Sequence, residues 1–519
     1  MKKFSVVVVL VLVASLALTA CSSGTQTTQQ PGSQKVAKDV LRVRHASRDL
    51  TSFDPAKAND GSVFTLNGNL YDRLVELDSD ANIVPGLAEK WETKDQKEWT
   101  FFLRKGVKFH NGDELKADDV VFSLTRAKDD KMKDNKVFSI QGVMDKIEKV
   151  DDYTVKITTK APFGQLLNHL AHTSGSIVNK KVVEKEGENY GKAKGGVVVG
   201  TGAYKLVSND DQKVVMEKFD GYYGGAKNVK ASIKTLEFVK ILDEQAAVMA
   251  LESGDIDVMQ AVPASSIDLV KKNAKLKFEE RPSLGFSYIA LNLKDKALGD
   301  VKVRRALTML TDVKEIIDVQ LNGSGSRAVS PLSKDMVDTG IKPLEKNIDE
   351  AKKLLKDAGY EKLSLKFLGT QANQKVFTLL KDQWAKGGVT LEFVTAQDSA
   401  DMVARMNKGD YQISATGWTT VTANPDYAVY SLFHSKGDYN RIGYNNPKID
   451  ELLDKGRTLK VGSPEFTANY KEFENILTNV DNTIVPLYFQ NKNMAYNKDL
   501  SGLEINLAKF TRFEHAKWN

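Results

Sequence analysis

Cysteine is almost absent from this chain: one thiol, Cys21, in 519 residues. A single thiol builds no internal disulfide, no Cys-based zinc finger and no iron–sulfur cluster. Charge of one sign is also scarce in net terms. The 74 Lys and Arg stand against 68 Asp and Glu, a formal +6. That field is too weak to argue for nucleic acid as a partner. Beyond the first twenty residues no apolar run approaches the ~18 residues of a membrane span. Catalytic motifs are missing as well: there is no H-E-x-x-H, no G-x-x-x-x-G-K-[ST] and no G-x-S-x-G. A zincin, a P-loop NTPase and an elbow-type esterase are thereby disfavoured. Gly200-Thr201-Gly202 lacks the third glycine of a dinucleotide fingerprint. Of six histidines, His169 and His172 have helical i, i+3 spacing. They are the one metal pair worth naming, though one surface and one packed histidine is the plainer reading. The remainder, with 41% hydrophobic, 27% charged and 8% aromatic residues, is ordinary globular composition. Length divided by ~150 gives roughly three domains. A binder fits these absences better than an enzyme, with no catalytic residue, no metal site and no cofactor expected.

What is present begins at the N-terminus. Lys2 and Lys3 precede an apolar stretch from Phe4 to Leu18, and Leu18-Thr19-Ala20-Cys21 follows. A charged start, a short apolar region and small terminal residues read as a secretory signal over residues 1–20. The tetrapeptide resembles the bacterial lipobox, which implies that Cys21 is acylated by palmitate-type chains and becomes the mature N-terminus. Each buried methylene contributes ~0.8 kcal/mol to membrane anchoring. Residues 21–35 contain no large apolar side chain after Cys21 and read as a tether that cannot repay its ordering entropy. The expectation is an exported body, held by lipid at the outer face of the cell membrane or on its periplasmic side.

Along the body, strand-like runs alternate with amphipathic helices. Val40 to Arg44 and Tyr153 to Ile157 alternate with period two. Trp99 to Arg104 and Val107 to His110 read as a second strand pair. Ala117-Asp118-Asp119 opens a helix with acids at its positive end. Val301 to Leu321 keeps the 3.6 period throughout and reads as one helix. Asn347 with Glu350 resembles a capping box, and that helix ends at Gly359. Such alternation predicts α/β lobes rather than a sandwich or bundle.

Several blocks then carry a resemblance. They are Ser52-Phe53-Asp54-Pro55-Ala56, Asn69 to Val75, Ile83 to Trp91, Trp99 to His110 and Ala117 to Leu124. Later blocks are Gly200 to Tyr204, Leu251 to Asp257, Ala290-Leu291-Asn292 and Val303 to Leu307. Together they resemble family 5 of the bacterial extracellular solute-binding proteins, which serve ABC importers of peptides, nickel complexes and related solutes. The resemblance implies a two-lobed clamshell of the periplasmic-binding-protein type (class II, cluster C), with a subdomain inserted in the first lobe. The expected division is lobe I at 36–64, 196–283 and 488–519, the inserted subdomain at 65–195, and lobe II at 284–487. Pro282 to Asn292 and Val485 to Lys492 are the expected hinge strands. A monomer is expected, partnered by the transmembrane subunits of an ABC permease.

The resemblance also implies where a solute sits. The loop after a lobe II strand lines the cleft, here Thr416-Gly417-Trp418-Thr419. Gly417 permits close approach of a backbone, and Trp418 offers a large amphipathic face. Peptide-binding relatives place an aspartate three residues after this tryptophan to hold an α-ammonium, and here that position is Val421. Asp426, beside Tyr427, is the alternative source of negative charge. Ser52 and the stretch His172-Thr173-Ser174 are expected from the other lobe. Phe367 to Asn373 gives a second edge and carries no arginine for a carboxylate. A peptide or peptide-like solute is the expected ligand; a nickel chelate, haem or a glutathione-like solute is the alternative within the fold. A surface hydrolase or chaperone is the alternative of another class, and it needs a nucleophile–base pair that the sequence does not offer.

Overall fold

The structure is a computed structural model that describes residues 39–47, 50–57, 61–129, 142–507 and 510–519. The expected signal peptide, Cys21 and the tether lie outside the described residues. The first strand, Val40–His45, alternates as its period requires, with Leu41 and Val43 fully buried. It pairs in parallel with Thr235–Lys240 on one side and with Val258–Gln260 on the other. Around it grows a seven-stranded sheet, in the order Leu276–Arg281, Lys492–Asn497, Val258–Gln260, Val40–His45, Thr235–Lys240, Lys213–Lys218, Tyr204–Asn209. This sheet and its helices form one lobe.

A second lobe is built on a six-stranded sheet, in the order Gly325–Arg327, Ile484–Gln490, Gly285–Leu291, Ile413–Thr419, Leu363–Gly369, Val389–Thr395. Its two faces carry separate apolar clusters, one around Trp384 and Phe367, the other around Phe433, Tyr470 and Phe473. A four-stranded antiparallel sheet, Ala88–Thr93, Glu98–Leu103, Thr154–Thr159, Met144–Asp151, is inserted in the chain between the first lobe's strands Val40–His45 and Tyr204–Asn209. The helix Ala117–Lys128 covers it, with Asp119 accepting from the backbone N–H of Lys116 and of Lys180 (3.0 Å each). Trp99 and Phe109 are buried in this subdomain's core, while Trp91 is only half-buried.

The chain passes between the two large sheets at two adjacent places. Leu276–Arg281 continues through Pro282, Ser283 and Leu284 into Gly285–Leu291, and Ile484–Gln490 continues through Asn491 into Lys492–Asn497. The Ser283 hydroxyl donates to Gln490 O at 2.5 Å and ties the two passages together. Short paired passages of this kind concentrate backbone change in a few residues, the condition for a hinge.

Two local expectations are corrected. The run Val301 to Leu321 is two helices, Val301–Leu310 and Val313–Leu321. Thr311 leaves the helix, and Asp312 restarts it by accepting from Glu315 N at 3.1 Å. Trp384 Nε1 donating to Thr311 Oγ1 and Gln383 Oε1 accepting from Asp312 N hold the break. The apolar period runs straight across it, which is why the pattern alone reads as one helix. Val107 to His110 is not a strand. Within it Lys108 makes an isolated bridge to Glu114, and the His110 ring brackets the turn at Gly200–Gly202. His110 Nδ1 accepts from Gly200 N and Nε2 donates to Gly202 O. A Cβ at Gly202 would strike the backbone of Asn69 and Leu70, so that glycine serves close chain approach.

Candidate functional site

Between the two large sheets, beside the hinge passages, lies a cavity of about 870 Å³. Arg44, His45, Gln260 and Ala261 reach it from the first lobe, Ser283, Leu284 and Asn491 from the hinge, and Gln320 and Thr419 from the second lobe. Arg44 and His45 stand at the carboxyl end of the Val40–His45 strand, where ligands of open α/β sheets collect. Arg44 is buried and its guanidinium donates to Ile241 O (3.1 Å) and Leu242 O (3.2 Å). Burial lowers its pKa, against the pull of Glu244 and Asp243. Ala261 adopts a left-handed backbone, φ 58°, which costs a non-glycine residue of order 1–2 kcal/mol. Its N–H donates to Asn493 O (3.0 Å), and the Asn493 side chain bonds both backbone groups of Val262. The strained wall is thus held by the last strand of the first lobe.

The inserted subdomain meets the second lobe directly. Gly164 N donates to Arg457 O at 2.9 Å, Gln165 Oε1 accepts from Asp426 N at 3.1 Å, and Gln165 Nε2 donates to Tyr470 Oη at 3.2 Å. Asn168 Nδ2 donates to Thr422 O at 3.2 Å. The clamshell is therefore shut on this side.

The expected site residues fall at several places around this arrangement. Thr416, Gly417, Trp418 and Thr419 form the end of the strand Ile413–Thr419, opposite Gly285–Tyr288, and Thr419 lines the cavity. The near neighbour of Gly417 is Phe286 O of that adjacent strand. Trp418 is half-buried between Tyr427 and Tyr439, at ring separations of 5.6 and 5.0 Å, and its Nε1 donates to Tyr427 O at 3.0 Å. Asp426 is 3% exposed and starts the helix Pro425–Phe433. Arg457 Nε approaches its carboxylate at 2.6 Å and His169 Nε2 at 3.3 Å. Burial pushes the Asp426 carboxyl up, but Arg457 and His169 outweigh it and hold the group down at about 2. Ser52 is buried with its hydroxyl donating to Gly191 O and accepting from Asp54 N. Ser174 is buried in the turn Thr173–Gly175, its N–H donating to His172 Nδ1 at 3.1 Å.

The helical spacing of His169 and His172 does not make a metal pair. His169 faces Asp426, and His172 faces the Ser174 amide. Among the described residues no group of three or more His, Cys, Asp and Glu is placed to hold a metal ion, and no helix is long and apolar enough to cross a membrane. The sequence reading did not single out Arg44, His45, Ala261 or Gln320 for the cavity. The first two carried a usable signal, since they end a strand in a parallel set.

Two lobes joined by paired passages, with a cleft at the joint, define a solute-binding clamshell. Residues 82–440 match the model of the bacterial extracellular solute-binding proteins, family 5, middle, and the chain belongs to that family. It is an exported, non-catalytic binding protein of the ABC-importer type, in a family that works with ABC permeases. The glutathione-binding protein GsiB of Pectobacterium atrosepticum is 32% identical over 439 residues, covering 80% of this chain and 82% of that protein. The solved structure of HbpA2 from Haemophilus parasuis superposes with a TM-score of 0.82 at 28% identity, covering 92% of this chain and all of that one. DppA from Helicobacter pylori, solved with the peptide STSA, gives 0.79 at 26% identity, with 92% and 98% covered.

Proposed function

We propose that the chain is a lipid-anchored receptor that captures a peptide or glutathione-like solute in the hinge cleft and delivers it to a permease. The observation that carries this reading is the cavity of about 870 Å³, walled by both lobes and within the ~300–1,000 Å³ of small-molecule sites. The name and extent of the glutathione-binding relative support the choice of a short peptide-like solute. The solute contacts Thr416, Gly417, Trp418 and Thr419 along the exposed strand end, where backbone groups of an extended ligand add as a strand does. Tyr427 backs Trp418, Asp426 supplies negative charge shared with Arg457 and His169, and Ser52 and Ser174 belong to the opposing wall. Sheet membership supports the division into lobe I (36–64, 196–283, 488–519), subdomain (65–195) and lobe II (284–487), apart from residues 488–490, which pair in the second lobe's sheet. The protein acts as a monomer anchored through Cys21.

Solute bound across the cleft touches both lobes only when they are closed, and that difference in affinity moves the population toward the closed form. Native mass spectrometry of protein purified from its own cell reads the retained solute directly. A peptide, glutathione included, is the expected mass. A retained nickel chelate or haem refutes the choice of solute.

A further inference from the structure

Among the buried side chains whose polar atoms have no hydrogen-bond partner within the described residues, four belong to segments that pack together: Asn67 (Oδ1 and Nδ2), His172 (Nε2), Thr173 (Oγ1) and Asn424 (Nδ2). They are at most 3% exposed. Leaving such buried atoms unpaired destabilises the fold, and native proteins keep few of them. These four come from three segments that meet at one junction. Asn67 lies on the helix Gly61–Leu70, one turn after Phe64. The Phe64 ring meets the His172 ring edge-on at 5.2 Å. Phe64 also shares an apolar cluster with Val421 and Phe510, against which Tyr427 packs, and Asn424 lies between Val421 and Tyr427. The subdomain contributes Asn67, His172 and Thr173, and the second lobe contributes Asn424.

The orphans are mainly donors. His172 Nδ1 already accepts from Ser174 N, so the neutral ring carries its hydrogen on Nε2. Burial, then His169 and Arg73, lower the His172 pKa to about 3. Asn424 Oδ1 accepts from Tyr427 N and from the Thr422 hydroxyl, leaving its NH₂ to donate. Thr173 adds a hydroxyl, and Asn67 a further NH₂. The charges nearby are paired within the protein, Arg73 by Glu76 and Asp426 by Arg457. A set of unpaired neutral donors suits an oxygen anion.

We propose that Asn67, His172, Thr173 and Asn424 form a subsite for a carboxylate of the solute, completed only when the lobes close. This deepens the peptide-like reading above and rests on it. It also supplies a carboxylate site where the edge Phe367 to Asn373 has no arginine. Opening the clamshell returns the donors to water, and closing on a carboxylate pairs them, so the solute's charge rewards closure.

The test uses Asn67→Leu, which keeps the side-chain size and removes both orphans, with His172→Phe as the second variant. Glutathione and its diethyl ester are the probes, read by calorimetry. Wild type is expected to prefer the acid by tenfold or more, and either variant to lose that preference. Unliganded Asn67→Leu is expected to melt no lower than wild type, because it removes unpaired groups. A variant that keeps the wild-type preference overturns the subsite. A lower melting temperature of unliganded Asn67→Leu also overturns it, since Asn67 would then be serving the fold. Should wild type ignore both probes while native mass spectrometry finds another retained acid, the peptide reading falls and the subsite is judged on that acid. Equal occupancy in wild type and Asn67→Leu overturns it there.

Discussion

Replacing Gly164 by alanine should hold the clamshell open without harming either lobe. Gly164 sits where the subdomain touches the second lobe, and its N–H donates to Arg457 O. A Cβ added there would stand well inside contact distance of Leu459 O and 3.2 Å from Leu459 C, besides striking Gln96 Oε1. The Gln96 amide can rotate away. Leu459 is backbone at the end of the helix Pro447–Thr458, so it moves only with that helix. Overpacking of this kind costs roughly 1–3 kcal/mol, and separating the lobes by a fraction of an ångström relieves it. The closed population should then fall about 5–150-fold, with the apparent Kd rising by the same factor. Calorimetry with the identified solute reads the affinity, and small-angle scattering at saturation reads the radius of gyration. The unliganded melting temperature should not move, because the strain exists only in the closed form. Gly142→Ala, at an exposed glycine with nothing near its Cβ, is the matched control. Wild-type affinity together with a wild-type closed radius in Gly164→Ala refutes the reasoning.

Other perturbations follow from the same geometry. Trp418→Ala removes the half-buried ring between Tyr427 and Tyr439, and Asp426→Asn weakens the pairs with Arg457 and His169; both should reduce the solute-induced thermal shift, with the protein still folded by circular dichroism. An unchanged shift in both variants removes this strand end from the site. His110 and His172 are held neutral, at about 4 and about 3 against an ordinary 6.5, burial being the leading cause in each. Below pH 6.5 the unfolded chain binds more protons than the folded one, so stability should fall as pH drops from 6.5 toward 4, by at most ~1.4 kcal/mol per pH unit for each histidine. Urea unfolding across that range should show a slope that flattens in His110→Gln; an equal slope in that variant would exclude His110 as its source. Cys21→Ser should release the protein from membranes into the soluble fraction on cell fractionation, and a variant that stays membrane-bound excludes the lipid anchor.

The fold was legible wherever a local rule decided it. Period-two burial marks Val40 to Val43 of the first strand, and the side chains of Asn347 and Asp119 cap the helices that their spacing suggested. Motif blocks spread over the body then carried the two-lobed architecture, which no single element could. Local rules failed where distant chain decided the outcome. The break at Thr311 and Asp312 depends on Gln383 and Trp384, some seventy positions away and invisible to a periodicity window. The left-handed turn at Ala261 depends on Asn493. Arg44 and His45 read as strand residues because they are strand residues; that they also wall the cleft follows from which strands lie beside them.

The same distinction bears on the missing aspartate. Val421 is 5% exposed among Phe64, Phe510 and Tyr427, so a carboxylate there would be surrounded by apolar rings and would need an ammonium to be tolerated. Asp426, proposed above as the source of negative charge, offers only a shared one. Its carboxylate is engaged by Arg457 on its own lobe and by His169 on the subdomain, so its charge is already largely answered. On the proposed site, a solute ammonium that reached Val421 would meet this apolar cluster. A solute whose decisive groups are acceptors meets donors on three segments. If the proposed subsite holds, valine at position 421 beside those donors favours solutes richer in carboxylate and amide oxygen than in free amine, and calorimetry with acid and amine analogues of one solute checks it.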